Sequence, residues 1–159
     1  MASSLDVMTG GGRIELTLGA GGQEPHNLSY GIHFGTAGKR VTDLIDAVAI
    51  MRGLWSNDSF TRQGQRLSAE DATVLPRPVR GTIPIWIGAL GPRMMRFAVR
   101  EADGWMKNRG CPESMERFAE LVGILDGVAE KAGRDPGNIR RVLNGVEAMG
   151  NASQTDVPV

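Results

Sequence analysis

Apolar residues form several short, uninterrupted runs along the chain. Residues 83–88 contain no charged or hydrogen-bonding side chain apart from the indole of Trp86. A run of this kind predicts a strand that is buried on both faces, as strands of parallel sheets are. Glycine clusters lie on both sides of residues 13–18, which predicts another strand there, and shorter patterns predict strands at residues 102–106 and 141–149.

Between these runs, apolar residues recur at helical spacing. The first such segment is residues 39–55, Pro92 begins a second helix, and Pro112 begins a third that Gly133 ends. We expect these helices to bury Val41, Leu44, Ile45, Val48, Met51, Leu54 and Trp55; Met94, Met95, Ala98 and Ala102; and Met115, Phe118, Ala119, Val122, Leu125, Ala129 and Ala132. Residues 19–38 are expected to form a long loop and residues 60–78 an irregular or hairpin-like excursion. Alternating strands and helices predict an α/β fold with a parallel sheet, either a barrel or a doubly wound sheet.

Composition and charge narrow the possible partners and compartment. The chain has 159 residues, enough for one domain with a hydrophobic core. Its 18 basic and 18 acidic residues balance, so no overall field favours nucleic acid or a membrane surface. The single cysteine, Cys111, excludes an internal disulfide, and no apolar run reaches the roughly 20 residues of a membrane helix. We therefore expect a cytoplasmic protein without a secretion signal.

Two glycine-rich loops follow predicted strands. They are residues 19–22 and residues 88–93, and glycine in such a loop lets a ligand approach the backbone closely. The second loop leads directly into a helix, whose first N–H groups and dipole favour a phosphate. Arg93 could add a charge-assisted contact to that anion. The alternative for both loops is a tight turn with no ligand.

Other candidate sites receive little support from the sequence. Gly19 and Gly21 offer G-x-G, but the third glycine of a dinucleotide-binding fingerprint is absent and no helix is predicted to follow promptly. His26 and His33 show no metal-ligand spacing, either with each other or with Cys111, and no metal site is predicted. The tryptophans are interpreted as core residues, and Asp103 as a turn residue.

Taken in order, several segments resemble the luciferase-like monooxygenase superfamily, and in particular its coenzyme F420-dependent oxidoreductases. The matching segments are residues 5–6, 11–21, 24, 30–32, 51–55, 84–88, 91–93, 102–105 and 132–136. The resemblance implies part of a TIM (β/α)8 barrel, covering about strands 4 to 7. It also implies a single domain over residues 1–159, truncated at both ends relative to the family.

The resemblance further implies a cofactor at the carboxyl ends of the strands, where barrel enzymes bind their ligands. The cofactor phosphate would lie on the backbone of Ala89, Leu90 and Gly91, with Arg93 nearby. Residues 19–21 (Gly19, Ala20 and Gly21) would lie near the cofactor ring or the substrate. Glu24 would act as proton donor or hydrogen-bond acceptor; its alternative interpretation is a solvated loop carboxylate.

The implied activity is hydride transfer between coenzyme F420 and a small organic substrate by a homo-oligomer. FMN is the alternative cofactor, and with oxygen the reaction would become a monooxygenation. The chain departs from the family pattern at Thr17, where glycine is common, and at Asn27, where histidine is frequent. It also lacks counterparts of the first three barrel strands. The second hypothesis is therefore a catalytically incompetent half-barrel remnant that dimerises or binds a partner fragment. A nicotinamide-binding Rossmann domain is the third.

Overall fold

The computed structural model describes residues 1–107 and 115–143. Its elements in chain order are α1 (Ala2–Met8), β1 (Leu16–Leu18), α2 (Glu24–Ser29), α3 (Ala37–Ser56), β2 (Phe60–Arg62), β3 (Ala69–Ala72), β4 (Ile85–Gly88), α4 (Pro92–Glu101), β5 (Gly104–Lys107), α5 (Met115–Lys131), a 3-10 turn (Pro136–Asn138) and β6 (Arg140–Leu143). The described residues form two compact units that divide inside β4: residues 1–86, and residues 87–107 together with 115–143.

Four strands form the main sheet in the order β1-β4-β5-β6. β5 and β6 are parallel, with Gly104 opposite Arg140 and Lys107 opposite Leu143. The predicted α/β class with a parallel sheet is confirmed. β2 and β3 pair antiparallel, which confirms the hairpin-like excursion between α3 and β4.

Helix α3 organises the first unit. The Thr36 hydroxyl caps it by accepting a hydrogen bond from the Lys39 N–H, at 3.4 Å. Leu44, Val48 and Trp55 are buried, as predicted. Asp46 is also buried, only 3% exposed, and its carboxylate accepts hydrogen bonds from backbone N–H groups that follow β2. The helix therefore holds the hairpin through a polar contact as well as through its apolar stripe.

Helix α1 was not predicted from the sequence. Its Asp6 is 2% exposed and accepts hydrogen bonds from the backbone N–H groups of Gly12 and Val79, both at 2.9 Å. A Cβ on Gly11 would lie 2.6 Å from the Val79 Cβ, and Gly11 has a φ of +84°. Glycine is therefore required where the chain passes this close to Val79.

In the second unit, the end of strand β4 and helix α4 supply much of the apolar core. Ile87 is fully buried, and the predicted inner face of α4 is confirmed at Met94, Met95 and Ala98. Phe97 is buried as well. The residue following α4, Ala102, is buried as predicted.

The predicted stripe of α5 is only partly correct. Leu125 and Ala129 are fully buried, but Ala119 and Ala132 are exposed, so their predicted burial was wrong. Leu121, one turn before Leu125, is buried instead. Small alanines carry little information about which helix face is inward, whereas the large leucine marks it.

Several predicted boundaries changed. The expected continuous loop at residues 19–38 was wrong, because α2 lies inside it and α3 begins at Ala37. β1 is shorter than predicted, and β5 extends to Lys107. Gly133 ends α5 as predicted: its φ is +70°, and the Arg134 N–H donates to the Ala129 carbonyl in a Schellman arrangement.

Some predictions lie outside the described residues. These concern Cys111, the helix start at Pro112 and the strand beyond residue 143; the side chain of Met115 is also not described. Within the described part of the chain, no helix is both long and apolar enough to cross a membrane.

Candidate functional site

The glycine loop after β1 is held in place by one arginine. The Arg40 Nε donates to the Ala20 carbonyl at 3.0 Å, and one terminal nitrogen donates to the Gly35 carbonyl at 2.8 Å. The guanidinium carbon lies 3.7 Å from the centroid of the Phe34 ring, in a cation–π contact. Arg40 lies in the first turns of α3, so this helix fixes both ends of the segment that runs from residue 20 to residue 35.

Gly21 lies inside this arrangement. Its φ is +77°, which favours glycine, and a Cβ there would lie 3.6 Å from the Phe34 ring. A Cβ at Gly19 would meet no atom within 4 Å. The backbone at Gly19 is therefore open to a ligand. The next residue, Ala20, is held by the hydrogen bond from Arg40 to its carbonyl.

Glu24 is the first residue of α2 and is exposed. An acidic residue in a first turn complements the helix dipole, which is a structural role that the sequence interpretation did not consider. His26 is in the same short helix, and both His26 and His33 are exposed. The described residues contain no group of histidine, cysteine or carboxylate side chains that could hold a metal ion.

The loop after β4 has the geometry expected of an anion site. Gly91 is the N-cap residue of α4, Pro92 follows it, and no side chain caps the helix. The first intrahelical bond runs from the Met95 N–H to the Gly91 carbonyl, at 2.9 Å. A Cβ on Gly91 would meet nothing within 4 Å, and Arg93 is exposed in the first turn. Oriented N–H groups, open space and a nearby cation together suit a phosphate.

Trp105 of β5 fixes the start of this loop. Its side chain is fully buried, and its indole N–H donates to the Ala89 carbonyl at 2.8 Å. The indole also stacks on Phe118 of α5, with ring centroids 5.8 Å apart. Ala89 is itself buried, while Leu90 is half exposed. The loop therefore leaves the core at Ala89 in a defined orientation and exposes the backbone that follows.

Each loop is held by a residue whose role was not predicted from the sequence. Trp105 was correctly predicted to be a core residue, as were Trp55 and Trp86, but its hydrogen bond to the loop was not foreseen. A buried indole N–H generally requires an acceptor. The sequence therefore indicated that Trp105 has a hydrogen-bond partner but did not identify it. Nothing in the sequence indicated that Arg40 holds this loop, because its acceptors are the backbone carbonyls of Ala20 and Gly35.

The contacts of Arg40 lead to a prediction about the glycine loop. Arg40→Gln removes two charge-assisted hydrogen bonds and the contact with Phe34, so we expect amide hydrogen exchange at residues 20–35 to accelerate by about tenfold or more. Exchange in the second half of α3 should not change. Lys39→Gln is the matched control, because it removes the same charge from an exposed neighbouring side chain. Equal exchange rates in the two variants would contradict the role assigned to Arg40.

Comparison with known proteins identifies related chains. A family model described as luciferase-like monooxygenase matches residues 1–155. An F420-dependent glucose-6-phosphate dehydrogenase from Microbacterium testaceum is 35% identical over 124 residues, 77% of this chain and 36% of that protein. A protein of the same name from Kineococcus radiotolerans is 31% identical over 134 residues, 83% of this chain and 38% of that protein. This chain thus spans little more than a third of the length of these curated relatives.

Solved structures show the same fold. The coenzyme F420-dependent tetrahydromethanopterin reductase from Methanopyrus kandleri has a TM-score of 0.71 at 23% identity, covering 89% of this chain and 43% of that one. An F420-dependent secondary alcohol dehydrogenase in complex with an F420-acetone adduct has a TM-score of 0.67 at 21% identity, covering 89% and 42%. The predicted fold class, part of a luciferase-like (β/α)8 barrel, is confirmed. The chain belongs to the luciferase-like monooxygenase family.

Proposed function

We propose that this chain is the cofactor-binding portion of an F420-dependent oxidoreductase that transfers hydride between the deazaflavin and a small organic substrate. The observation that carries the proposal is the loop at residues 88–93, which offers an uncapped helix start, open space at Gly91 and a nearby arginine. The naming of curated relatives as F420-dependent enzymes supports this cofactor. FMN is the alternative cofactor.

In this proposal, the backbone at Ala89, Leu90 and Gly91 binds the cofactor phosphate, and Arg93 adds charge. The N–H groups of the first helical turn point out of the helix, and their partial positive charge stabilises the negative charge of a phosphate. Trp105 fixes the entry of the loop through the Ala89 carbonyl. The protein thereby orients the cofactor, and the cofactor supplies the hydride chemistry.

The loop at residues 19–21 is proposed to contact the cofactor ring or the substrate. Its support is the exposed backbone at Gly19 and the anchoring of Ala20 by Arg40. Glu24, at the start of α2, is proposed as a proton donor or hydrogen-bond acceptor near the cofactor ring. Its position in the exposed first turn of α2 leaves the carboxylate accessible to a ligand. A small-molecule substrate and a homo-oligomeric assembly also remain proposals.

Gly91→Val tests the phosphate anchor. Gly91 has a φ of −81° and a ψ of 154°, values that valine adopts readily, so the fold should be retained. The added side chain would occupy the space that the phosphate needs, and we expect the Kd for F420 to rise by about tenfold or more, equivalent to about 1.4 kcal/mol. The measurement is a fluorescence titration of the purified chain with F420 and, separately, with FMN.

Gly123→Val is the matched control. Gly123 is exposed on α5, and a Cβ there would also meet nothing within 4 Å. This control should bind the cofactor as the unchanged chain does. If neither cofactor binds the unchanged chain, the proposed function fails. If Gly91→Val binds F420 as tightly as the control does, the phosphate anchor has been assigned to the wrong loop.

A further inference from the structure

A cationic cleft lies between α4 and α5, on the second unit. Its cavity of about 240 Å³ is lined by Arg96, Arg100, Val128, Lys131 and Ala132. Three of these five residues are basic, and none of the acidic residues in the described part of the chain lines the cleft. Arg96 and Arg100 are one helical turn apart on α4, where like charges repel each other. The cleft therefore concentrates positive charge at some cost in a chain whose total charge is zero.

Ion pairing within the protein does not explain this charge. Within the described part of the chain, Arg96, Arg100 and Lys131 form no hydrogen bond or salt bridge with their side chains. Other arginines of the chain are paired, as Arg117 is with Glu120 and Arg141 with Asp126. The three cations of the cleft are consequently available to an external anion.

Compensation of helix dipoles explains the charge only in part: Arg100 and Lys131 lie in the last turns of α4 and α5, but Arg96 does not. Cations are common near the ends of helices, because the last carbonyls carry partial negative charge. At the end of α4, however, Arg134 already donates to the carbonyls of Val99 and Ala102, at 2.6 and 2.8 Å. At the end of α5, the N–H groups of Gly133 and Arg134 satisfy the carbonyls of Glu130 and Ala129. Both helix ends are thus capped without the cations of the cleft.

We propose that this cleft binds a small molecule that carries a phosphate group. Two guanidinium groups offer the planar forks that match phosphate oxygens, and the Lys131 ammonium adds a third positive charge. Val128 and Ala132 supply an apolar wall for the carbon skeleton of the ligand. The volume of about 240 Å³ is slightly below that of typical sites for drug-sized ligands, so it suits a small ligand.

This cleft is distinct from the loop at residues 88–93. The two have no lining residue in common, and Arg96, the cleft residue nearest in sequence, lies five residues after the N-cap Gly91, about 7.5 Å along the axis of α4 at about 1.5 Å per residue. Occupation of the cleft and of the loop can therefore be measured separately. Binding of a phosphate compound in the cleft does not depend on which cofactor binds the loop.

The test uses phenyl phosphate as the probe and the methyl resonances of Val128 and Ala132 as the readout. We expect saturable shifts of these methyl groups at about 1 mM probe and low ionic strength, and weaker binding of inorganic phosphate, which lacks the apolar part. Arg96→Gln and Arg100→Gln should each raise the Kd by about tenfold or more, because each removes a charge-assisted contact. Both residues are exposed, so the substitutions should leave the fold intact.

Two controls locate the binding. Arg117→Gln removes one positive charge from an exposed position on α5 that does not line the cleft. Gly91→Val alters the loop at residues 88–93, the other candidate anion site. Neither substitution should change the shifts. The proposal is overturned if phenyl phosphate produces no saturable shift. It is also overturned if Arg96→Gln and Arg100→Gln bind as Arg117→Gln does, or if Gly91→Val abolishes the shifts.

Discussion

Trp105→Ala is expected to lower the free energy of unfolding by about 3–5 kcal/mol, the usual range for removing a large buried aromatic side chain. Trp105 is fully buried, stacks on Phe118 and donates to the Ala89 carbonyl. Alanine would leave a cavity beside β5 and a buried carbonyl without its donor. Urea unfolding followed by circular dichroism measures the loss as a lower midpoint.

Two further variants separate the contributions of Trp105. Trp105→Phe keeps most of the packing but removes the hydrogen bond and part of the ring, so it should cost about 1–3 kcal/mol. Ile124→Ala is the control, because Ile124 is 48% exposed on α5 and contributes little to the core. A Trp105→Ala variant as stable as this control would contradict the central place given to Trp105.

Asp46→Ala is expected to cost about 3 kcal/mol, because it deprives two backbone N–H groups of their acceptor. The Asp46 carboxylate accepts from the N–H of Arg66 at 2.7 Å and from the N–H of Leu67 at 3.1 Å. Asp43→Ala is the control. Asp43 is one turn earlier on α3 and forms only a partly exposed ion pair with Arg66, which should contribute less than about 1 kcal/mol. Thermal unfolding of both variants should show a clearly larger decrease for Asp46→Ala.

The same carboxyl group makes stability depend on pH. Burial by itself raises the pKa of Asp46, but the hydrogen bonds from the backbone N–H groups of Arg66 and Leu67 outweigh burial and lower the pKa below its ordinary value of 3.8. Because the pKa is lowered in the folded state, the contribution of Asp46 to stability is complete above about pH 3.8. It is lost as the pH falls through the folded-state pKa. The stability gap between the unchanged chain and Asp46→Ala should therefore narrow from about pH 6 to about pH 2. A gap that widens on acidification would contradict this sign.

The sequence predicted the architecture where apolar side chains are large and the elements are long. Residues 83–88 could be recognised from an uninterrupted apolar run, and the face of α4 with Met94 and Met95 from the helical spacing of apolar residues. The short helices were harder: α1 has seven residues and α2 has six, too few to display an apolar stripe. The end of α5 was recognisable from Gly133, whereas Ala119 and Ala132 did not reveal which face of the helix is inward.

The candidate site was predictable to a similar degree. The loop at residues 88–93 could be selected from glycine, proline and arginine at a strand-to-helix junction, since those residue types act through local backbone geometry. The residues that hold the two loops in place could not be predicted from the sequence. Arg40 and Trp105 act through backbone carbonyls of Ala20 and Ala89, which lie 20 and 16 residues away in sequence. Only the folded chain brings such donors and acceptors together.

The account is tested most directly by following the backbone amide resonances of the chain during titration with coenzyme F420. We predict saturable shifts that are largest at Ala89, Leu90, Gly91 and Arg93, because the cofactor phosphate is proposed to bind to this backbone. Smaller shifts are expected at Gly19, Ala20 and Gly21. Absence of saturable shifts, or shifts confined to residues outside these two loops, would contradict the proposed cofactor site.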